Sequence, residues 1–436
     1  MAKSKGDGNK NSLKETEIGM IPEDWNVERL GDVAELLRGL SWRKEEANKS
    51  GRGLPVVAIP NIGIGTLNFD FHHFLTREVS TKKLLKIGDI LFVGSSGSIR
   101  NIGRNVLVRF LPLDKISFAS FLALIRAEKG KVTSDFLYYL INSKWIDFKK
   151  FTKRAADGKY NFQLRDFQSN ATIPLPPPHE QQKIARVLSK IQQAIEQQDK
   201  IIEATKNLKK SLMQKLFTEG FGHTEFKETE IGQIPKGWKI ESAEEICLKV
   251  TDGTHDTPKP TKSGYYLVTS KHIKEGYIDF SEAYFINEKD FKEVNRRSQV
   301  HPLDVIFSMI GTIGNVVVVK NEYPNFAIKN VGLFKTGGNY TKSFWLYYYF
   351  QSPLGREYIE NNTKGTTQKY VPLYALRKFT VALPSDKEMQ EIVYILRMMD
   401  KKIEAEEKRK STLKELFKTM LHKLMTGEIR LKEIEL

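Results

Sequence analysis

Apolar residues recur at alternating intervals of four and three along one stretch of the chain, which predicts a long helix with a narrow apolar face. The stretch runs from His179 to Phe217, follows the proline-rich segment 174–178 and contains no proline or glycine. At ~1.5 Å per residue this helix would be roughly 55–60 Å long. A helix of this length with one narrow apolar stripe needs a partner helix. The predicted stripe contains Ile184, Leu188, Ile191, Ile195, Ile202, Leu208, Leu212 and Leu216.

The partner helix lies in the same chain, between Lys387 and Met425, where the apolar pattern repeats at a constant offset of 208 residues. We expect the two helices to pack antiparallel. The reason is connectivity, because the first helix leads from one domain to the next and the second helix begins at that next domain. The residues predicted to form the coiled-coil seam are Ile184, Leu188, Ile191, Ile195, Leu212, Leu216, Ile392, Leu396, Met399, Ile403, Leu413, Phe417, Met420 and Leu424.

The globular parts of the chain repeat as well. The segment 14–22, KETEIGMIP, recurs as 227–235, KETEIGQIP, and Trp25 and Trp238 follow at matching places. A period of about half the chain is too long for a solenoid and indicates two copies of one domain, each followed by a long helix. The predicted organisation is a flexible basic tail at 1–12, a first domain at 13–176, a central helix at 177–222, a second domain at 223–384, and a distal helix with the C-terminal tail at 385–436.

Within each domain, short apolar runs between turn residues predict strands. In the first domain we expect strands at 54–59 and 105–110, a turn that leads into a strand over 87–93, and a turn at 94–98. We also expect a helix that runs to Trp145 with Ser134 as its N-cap. The predicted fold class is α+β. Two repeated mixed α/β domains are separated by two long helices, which pack as an antiparallel coiled coil with pseudo-twofold symmetry.

Charge points to a partner. The 436 residues carry a formal net charge of +16, and such an excess of Lys and Arg suggests a polyanion, most often nucleic acid. No apolar run approaches the ~20 residues of a membrane span, and the basic N-terminus lacks the apolar core of a secretory signal. We therefore expect a cytoplasmic protein without a membrane partner. The single cysteine, Cys247, excludes a disulfide framework and a Cys-rich zinc site.

Sequence motifs of catalysis are missing. The chain has no Walker A sequence for ATP, its histidines do not have the spacing of a metal site, and it has no Asn-Pro-Pro-aromatic motif of an amino-methyltransferase. We therefore expect no catalytic residue, no metal ligand and no cofactor in this chain.

Polar and basic loops recur at equivalent places in both halves. Those of the second half include 251–262 and 365–369. Polar side chains suit base edges, and Lys and Arg suit phosphates. Any one of these residues is as readily a solvated turn residue, so the prediction of DNA contacts depends on the recurrence. The candidates in the first domain are Arg43, Lys44, Asn61, Arg100, Asn101, Arg104, Lys153, Arg154, Lys159, Tyr160 and Asn161. The candidates in the second domain are Thr251, Asp252, Thr254, His255, Lys259, Lys262, Lys271, His272, Thr312, Thr366, Thr367, Gln368 and Lys369.

The combined order of these motifs resembles the DNA-specificity subunit of type I restriction–modification systems. The resemblance is carried by the repeated opening E-T-E-I-G-x-I-P-x-x-W, by TDGTH at 251–255, by GTTQ at 365–368, and by the segment 174–184 with its helix. The first domain departs from the pattern, since it lacks the TDGTH string and has RGLS at 38–41 near that place.

The resemblance implies a non-catalytic subunit that binds double-stranded DNA. Each target-recognition domain would read one half of a bipartite target, while the helices would set the spacing and dock two methylation subunits. Restriction subunits would join the full complex. S-adenosylmethionine, ATP and Mg²⁺ would then serve the partner subunits and not this chain.

Three other interpretations remain open. A nuclease or methyltransferase that acts alone would need a cofactor or metal motif that the sequence lacks. A coiled-coil scaffold without nucleic acid would leave the repeated basic loops unexplained. RNA binding is the nearest rival, and a comparison of duplex DNA with matched RNA would decide between the two.

Overall fold

The computed structural model describes residues 12–431 and divides the chain into two compact units. The first unit comprises Met1–Gln198 with Arg409–Leu436, and the second comprises Asp199–Lys408. The basic tail predicted at 1–12 lies outside the described residues except for Ser12. Across residues 12–431, no helix is long and apolar enough to cross a membrane.

A four-stranded antiparallel sheet forms the centre of the first unit. Its spatial order is Asn105–Leu107, Ile90–Val93, Leu122–Ala127 and Ala34–Arg38. The strand Ile90–Val93 is fully buried, because side chains alternate between the two faces of a strand and both faces are covered. Ile90 and Phe92 join one apolar cluster, and Leu91 and Val93 join another.

The second unit has a sheet of the same order, which consists of Val316–Val318, Val305–Ser308, Val331–Lys335 and Lys249–Asp252. Its central strand is buried in the same way, with Val305 and Phe307 on one face and Ile306 on the other.

A smaller sheet accompanies each central sheet and contains a parallel pair of strands. In the first unit the parallel pair is Leu54–Val57 with Ser117–Phe118, and in the second it is Tyr265–Thr269 with Phe326–Lys329. Antiparallel strands extend these sheets. In the first unit Phe74–Leu75 pairs with Leu54–Val57 and is followed by the edge strand Ala47–Asn48, and in the second unit Phe285–Ile286 is the edge strand.

The repeated opening segment forms a hairpin in both units. The hairpins are Leu13–Thr16 with Gly19–Pro22, and Phe226–Thr229 with Gly232–Pro235. The strand after each hairpin pairs with the strand that leads into the long helix. These pairs are Asn26–Arg29 with Thr172–Leu175, and Lys239–Ser242 with Thr380–Leu383.

The two long helices are Pro178–Thr218 (41 residues) and Asp386–Met425 (40 residues). In the second unit they run antiparallel, since Lys206 pairs with Glu407 at 2.6 Å and Lys209 pairs with Asp400 at 2.6 Å.

The helices also contribute to the cores of the units. In the first unit Ile184 and Leu188 share a core with Leu424 and Met425. In the second unit Leu216 and Phe217 share a core with residues from the start of the second long helix.

None of the fourteen seam residues is exposed. The stripe prediction was wrong at Leu208, which is 53% exposed, while the neighbouring Met213 and Phe217 are buried. Four polar side chains are buried on the first long helix: Glu180 and Gln181 in its first turn, and Gln198 and Thr205 further along.

The remaining elements are short. The other α-helices are Leu30–Val33, Ser134–Ile141, Leu164–Asn170, Ala243–Ile246, Glu288–Ser298, Tyr340–Gln351, Pro353–Asn361 and Leu373–Arg377. The 3₁₀ turns are Lys44–Glu46, Ile59–Asn61, Thr81–Lys83, Ile99–Asn101, Phe148–Phe151 and Ser270–His272. The other strands are Ser95–Ser96, Thr152–Arg154, Tyr160–Phe162, Ile273–Lys274 and Tyr277–Ile278.

Four local predictions need correction. The strand predicted at 105–110 ends at Leu107. The helix Ser134–Ile141 is capped by Thr133, whose side chain accepts from the Phe136 backbone N–H at 3.4 Å, and it stops before Trp145. The strand predicted at 54–59 ends at Val57, because a 3₁₀ turn follows. The turn predicted at 94–98 contains the strand Ser95–Ser96, which pairs with a hairpin distant in sequence.

Candidate nucleic-acid interface

In the second unit, the chain leaves the central sheet through a close contact between two backbones. A Cβ on Gly253 would lie 2.3 Å from the Ile328 carbonyl oxygen, so only glycine fits there. Thr251 and Asp252 belong to the preceding strand and are buried, which corrects their prediction as loop residues. Thr254, the residue after Gly253, forms an isolated β-bridge with Lys329.

The buried Asp252 orients the exposed His255. One Asp252 carboxylate oxygen lies 2.9 Å from His255 Nε2, and the other accepts from Arg297 Nη2 at 3.1 Å. The second ring nitrogen of His255 lies 2.9 Å from Asn330 Oδ1. Asn330 has a φ of 53°, in the left-handed region that Asn tolerates better than most residues. A carboxylate and an amide therefore hold this imidazole at the surface.

Ser270 joins this loop to the next one. Its hydroxyl donates to the Asn330 carbonyl at 2.8 Å and accepts from the Ile310 backbone N–H at 3.3 Å. The Thr312 hydroxyl donates to the Ser270 carbonyl at 3.2 Å. Thr312 is exposed, so a predicted candidate lies on a loop anchored beside His255 and Asn330.

A projecting hairpin, Lys364 to Tyr370, adds the third segment. Lys364 forms a β-bridge with Tyr370, and Tyr370 forms a second one with Ile310. The Gly311 backbone N–H also donates to the Lys369 carbonyl at 3.3 Å. A hydrogen bond with Tyr374 raises the pKa of Lys364, so its ammonium stays charged. The candidates at the tip, all exposed, are Thr366, Thr367, Gln368 and Lys369. We call the segments 253–257, 310–315 and 364–370, with Ser270 and Asn330, the second-unit loop surface.

The first unit repeats this plan with other residues. A Cβ on Gly39 would lie 2.1 Å from the Ala119 carbonyl oxygen, and Leu40 bridges to Ala119. The segment RGLS at 38–41 therefore takes the structural place of Asp252 to His255. Arg38 donates to the Phe162 carbonyl at 3.0 Å, so this segment also contacts the hairpin that projects from the first unit.

That hairpin consists of Thr152–Arg154 and Tyr160–Phe162, and Ser95–Ser96 pairs with its second strand. The Ser95 hydroxyl donates to Asn161 Oδ1 at 2.7 Å. The Arg154 guanidinium lies 5.8 Å from the centre of the Tyr160 ring. Lys159 pairs with Asp157 at 3.2 Å, and hydrogen bonds from Lys159 lower the pKa of the Asp157 carboxyl.

The 3₁₀ turn Ile99–Asn101 brings two further candidates to the same place. Asn101 donates to the Ser96 hydroxyl at 3.2 Å, and Arg100 is exposed. We call the segments 38–41, 94–101 and 152–162, with the turn at 119–122, the first-unit loop surface. It carries five exposed cations, which are Arg38, Arg100, Lys153, Arg154 and Lys159.

Two of the predicted DNA-binding residues are buried instead, and they occupy equivalent positions in the two units. Asn61 and His272 are each 2% exposed at the end of a 3₁₀ turn. Asn61 Oδ1 accepts from the Ala58 backbone N–H at 2.8 Å, and His272 Nδ1 accepts from the Thr269 backbone N–H at 2.9 Å. Burial, aided by the Lys271 charge, lowers the pKa of His272. These residues close turns beneath the loops.

The remaining candidates lie on other segments. Arg43 and Lys44 are exposed at the turn Lys44–Glu46, and Arg104 reaches the Ile59 carbonyl at 3.5 Å. Lys259 and Lys262 are exposed on the loop after Thr257, and the exposed Lys271 lies 3.8 Å from Glu282.

Sequence reasoning missed Asn330 and Phe121. An Asn between two apolar strands is itself a turn signal, and Asn330 could have been found in this way. Phe121 has no such signal, because its turn is held at the surface by contacts with segments distant in sequence.

The chemical groups on both surfaces are hydrogen-bond donors and acceptors, cations and aromatic rings. Among residues 12–431 no three His, Cys, Asp or Glu side chains form a group able to hold a metal ion. Cys247 is buried, and burial raises the pKa of its thiol to about 12, so it is a poor nucleophile at neutral pH. Such surfaces can recognise a polyanion with exposed polar edges.

Comparison with known proteins agrees with the repeat. The model of the type I restriction modification DNA specificity domain matches twice, at residues 22–206 and 235–415. A Methanocaldococcus jannaschii chain assigned as the MjaX specificity subunit is 30% identical over 97% of both chains. The MjaVIII specificity subunit of the same organism is 26% identical over 97% of both chains. The Escherichia coli EcoKI specificity subunit is 24% identical over 86% of this chain and 82% of its own length.

Two solved structures share the fold. One, from work on complex assembly and conformational transition of a type I restriction–modification system, is 18% identical, with a TM-score of 0.56 over 94% of this chain and 99% of its own. The other is a type I specificity subunit from M. genitalium, 15% identical, with a TM-score of 0.52 over 92% of this chain and 96% of its own.

Proposed function

The chain belongs to the type I restriction–modification DNA specificity family, and we propose that each of its two units reads one half of a bipartite duplex DNA target. The observation that carries this proposal is the repeated loop surface. The same backbone frame, with an obligatory glycine at Gly39 or Gly253, supports different side chains in the two units. A common scaffold with different contact residues suits two half-sites of different sequence.

The division of labour among the contact residues follows from their chemistry. We assign phosphate contacts to the exposed cations Arg100, Lys153, Arg154 and Lys159 in the first unit and to Lys369 in the second. We assign base-edge contacts in the second unit to the exposed polar residues His255, Thr312, Thr366, Thr367 and Gln368, because amide, hydroxyl and imidazole groups match base donors and acceptors.

We further propose that the two long helices set the distance between the half-sites and dock two methylation subunits. The buried seam and the ion pairs Lys206–Glu407 and Lys209–Asp400 support a stiff helical pair. Methylation and cleavage would belong to partner subunits, the latter to restriction subunits, with S-adenosylmethionine, ATP and Mg²⁺ bound there. The sequence of this chain, which lacks a Walker A motif, supports that assignment.

One experiment tests the central proposal. Cells that express this chain with its methylation subunits are subjected to methylome sequencing. We expect one methylated motif with two specified blocks and an unspecified spacer. The complex should bind that duplex with a steep salt dependence and prefer it to matched RNA. A continuous motif, an unmethylated genome, or a preference for RNA would contradict the proposal.

A further inference from the structure

We propose that Phe121 is a specificity-determining residue of the first unit, and that its ring contacts the C5-methyl group of a thymine in the half-site which that unit reads. The inference rests on the proposed function and names one chemical feature of the DNA. Phe121 is 48% exposed on the tight turn from Ala119 to Leu122. The turn is closed by a hydrogen bond from Leu122 N to the Ala119 carbonyl at 2.8 Å.

The other segments of the first-unit loop surface hold this turn in place. Ser120 N donates to the Leu40 carbonyl at 2.7 Å, which fixes the turn to the segment 38–41. The Phe121 carbonyl accepts from the backbone N–H of Gly94 at 2.8 Å and of Ser95 at 3.0 Å. Ser95 in turn bonds the projecting hairpin. The ring therefore stands on a fixed backbone at the meeting point of all three segments, and ordering it on binding has a small entropic cost.

The same turn in the second unit presents a polar group. Asn330 N donates to the Thr254 carbonyl at 3.2 Å, as Ser120 N does to Leu40, so Asn330 and Ser120 are equivalent. Phe121 is then an extra residue without a counterpart in the second unit. Where the second unit offers an amide held by His255, the first unit offers an aromatic ring.

DNA chemistry narrows what the ring can contact. In the major groove the thymine methyl is the apolar group that a base pair presents, and Phe is among the side chains that contact it. The exposed cations of the same surface, among them Arg100 and Lys153, suit the phosphates beside that base. The geometry therefore favours a T·A pair in the first half-site, with its methyl group against Phe121.

The test measures binding of the full chain, assembled with its methylation subunits, to its methylated motif and to duplexes in which one thymine at a time is replaced by deoxyuridine. This replacement removes only the methyl group. We expect one thymine of the first half-site at which deoxyuridine weakens binding about fourfold, the factor that corresponds to ~0.8 kcal/mol for one buried methyl group. In Phe121→Ala, binding to the thymine duplex should fall about tenfold, and the deoxyuridine effect should disappear.

Ile87→Ala is the matched control. Ile87 is an apolar residue of the same unit, 69% exposed, and it precedes the strand Ile90–Val93, whose other end leads to Gly94. This variant should keep both the affinity and the deoxyuridine effect. A first half-site without thymine, deoxyuridine effects absent in the native chain, or equal effects in the native chain and Phe121→Ala would each overturn the assignment. A complex that methylates no bipartite motif would instead contradict the proposed function itself.

Discussion

The indole Nε1 of Trp25 donates a hydrogen bond to the buried carboxylate of Glu180 at 3.0 Å, which ties the opening segment of the first unit to the first turn of its long helix. Arg430 completes the arrangement with two hydrogen bonds to the same carboxylate, at 2.8 and 2.7 Å. The second unit repeats it, since Trp238 donates to Glu388 at 3.1 Å. There His223, from the segment after the first long helix, takes the place of the arginine, and its Nε2 lies 3.0 Å from Glu388 Oε1.

Replacing Glu180 by Gln should destabilise the first unit. The change removes one of the two carboxylates that pair with Arg430, and Asp24 remains as the other. The loss should therefore be smaller than the roughly 3–5 kcal/mol that follows when a buried ion pair is broken completely. Urea unfolding of the full chain at pH 7 measures the change. Lys236→Gln, which breaks an exposed pair with Glu225, serves as the control and should leave the free energy of unfolding nearly unchanged.

The same carboxylate should make stability depend on pH. Burial opposes its ionisation, but hydrogen bonds from Arg430 and Trp25 prevail and hold the pKa of Glu180 below its ordinary value of 4.5. Its stabilising contribution is therefore present above about pH 4.5 and is lost as the pH falls further. Unfolding measured between pH 3 and 7 should show a smaller acid-induced loss in Glu180→Gln than in the native chain. Equal losses would contradict this origin.

Replacing Asn61 by Ala should affect stability more than base preference. The half-buried Ala58 N–H would lose its acceptor, and the cost should be at most the roughly 1–3 kcal/mol of a fully buried unsatisfied group. Binding to matched and mismatched half-sites, measured below the unfolding transition, should change by the same factor. Arg100→Ala, at an exposed cation, should do the reverse, with unchanged stability and weaker binding to every sequence. An altered preference at one base pair in Asn61→Ala would show a direct base contact.

Gln368→Ala and Lys369→Ala separate the two kinds of DNA contact on neighbouring residues. Gln368→Ala should lower discrimination at one base pair of the second half-site by ~1–3 kcal/mol, because a lost base-edge pair costs that much. Lys369→Ala should weaken binding to all sequences alike and reduce the salt slope by about one, as expected for a lost phosphate contact. Affinities for single-base variants of both half-sites measure this. A change of preference in the first half-site would count against the assignment.

Lengthening both long helices by one heptad, after Gln198 and after Lys408, should lengthen the unspecified spacer. Seven helical residues add about 10.5 Å, which is about three base pairs of duplex, and a whole heptad preserves the apolar seam. Methylome sequencing should then show both half-sites unchanged. An insertion of seven residues after Glu322, in an exposed loop outside both loop surfaces, is the control and should leave the spacer unchanged. Altered half-sites would show that the helices do not act as a ruler.

The sequence by itself determined the repeat, the long helices and the family. These features are local or periodic. A stripe at intervals of four and three identifies the face of a helix wherever it packs, and the matching opening segments reveal duplication without any contact being known. The helix predicted at 177–222 is Pro178–Thr218 in the structure. Each of the fourteen seam residues is buried or half-buried.

Only the tertiary structure decided which polar residues reach the surface. Asn61 and His272 are residue types that suit DNA contacts, but long-range packing buries them. Their side chains accept backbone hydrogen bonds within 3₁₀ turns. Thr251 and Asp252 are buried because their strand pairs with Val331–Lys335, about 80 residues away in sequence. Phe121 stands at the surface because backbone groups of Gly94, Ser95 and Leu40 hold its turn. Contacts between distant segments leave no period in the sequence. Residue type therefore indicates which chemical groups are available, and the fold decides which of them are exposed.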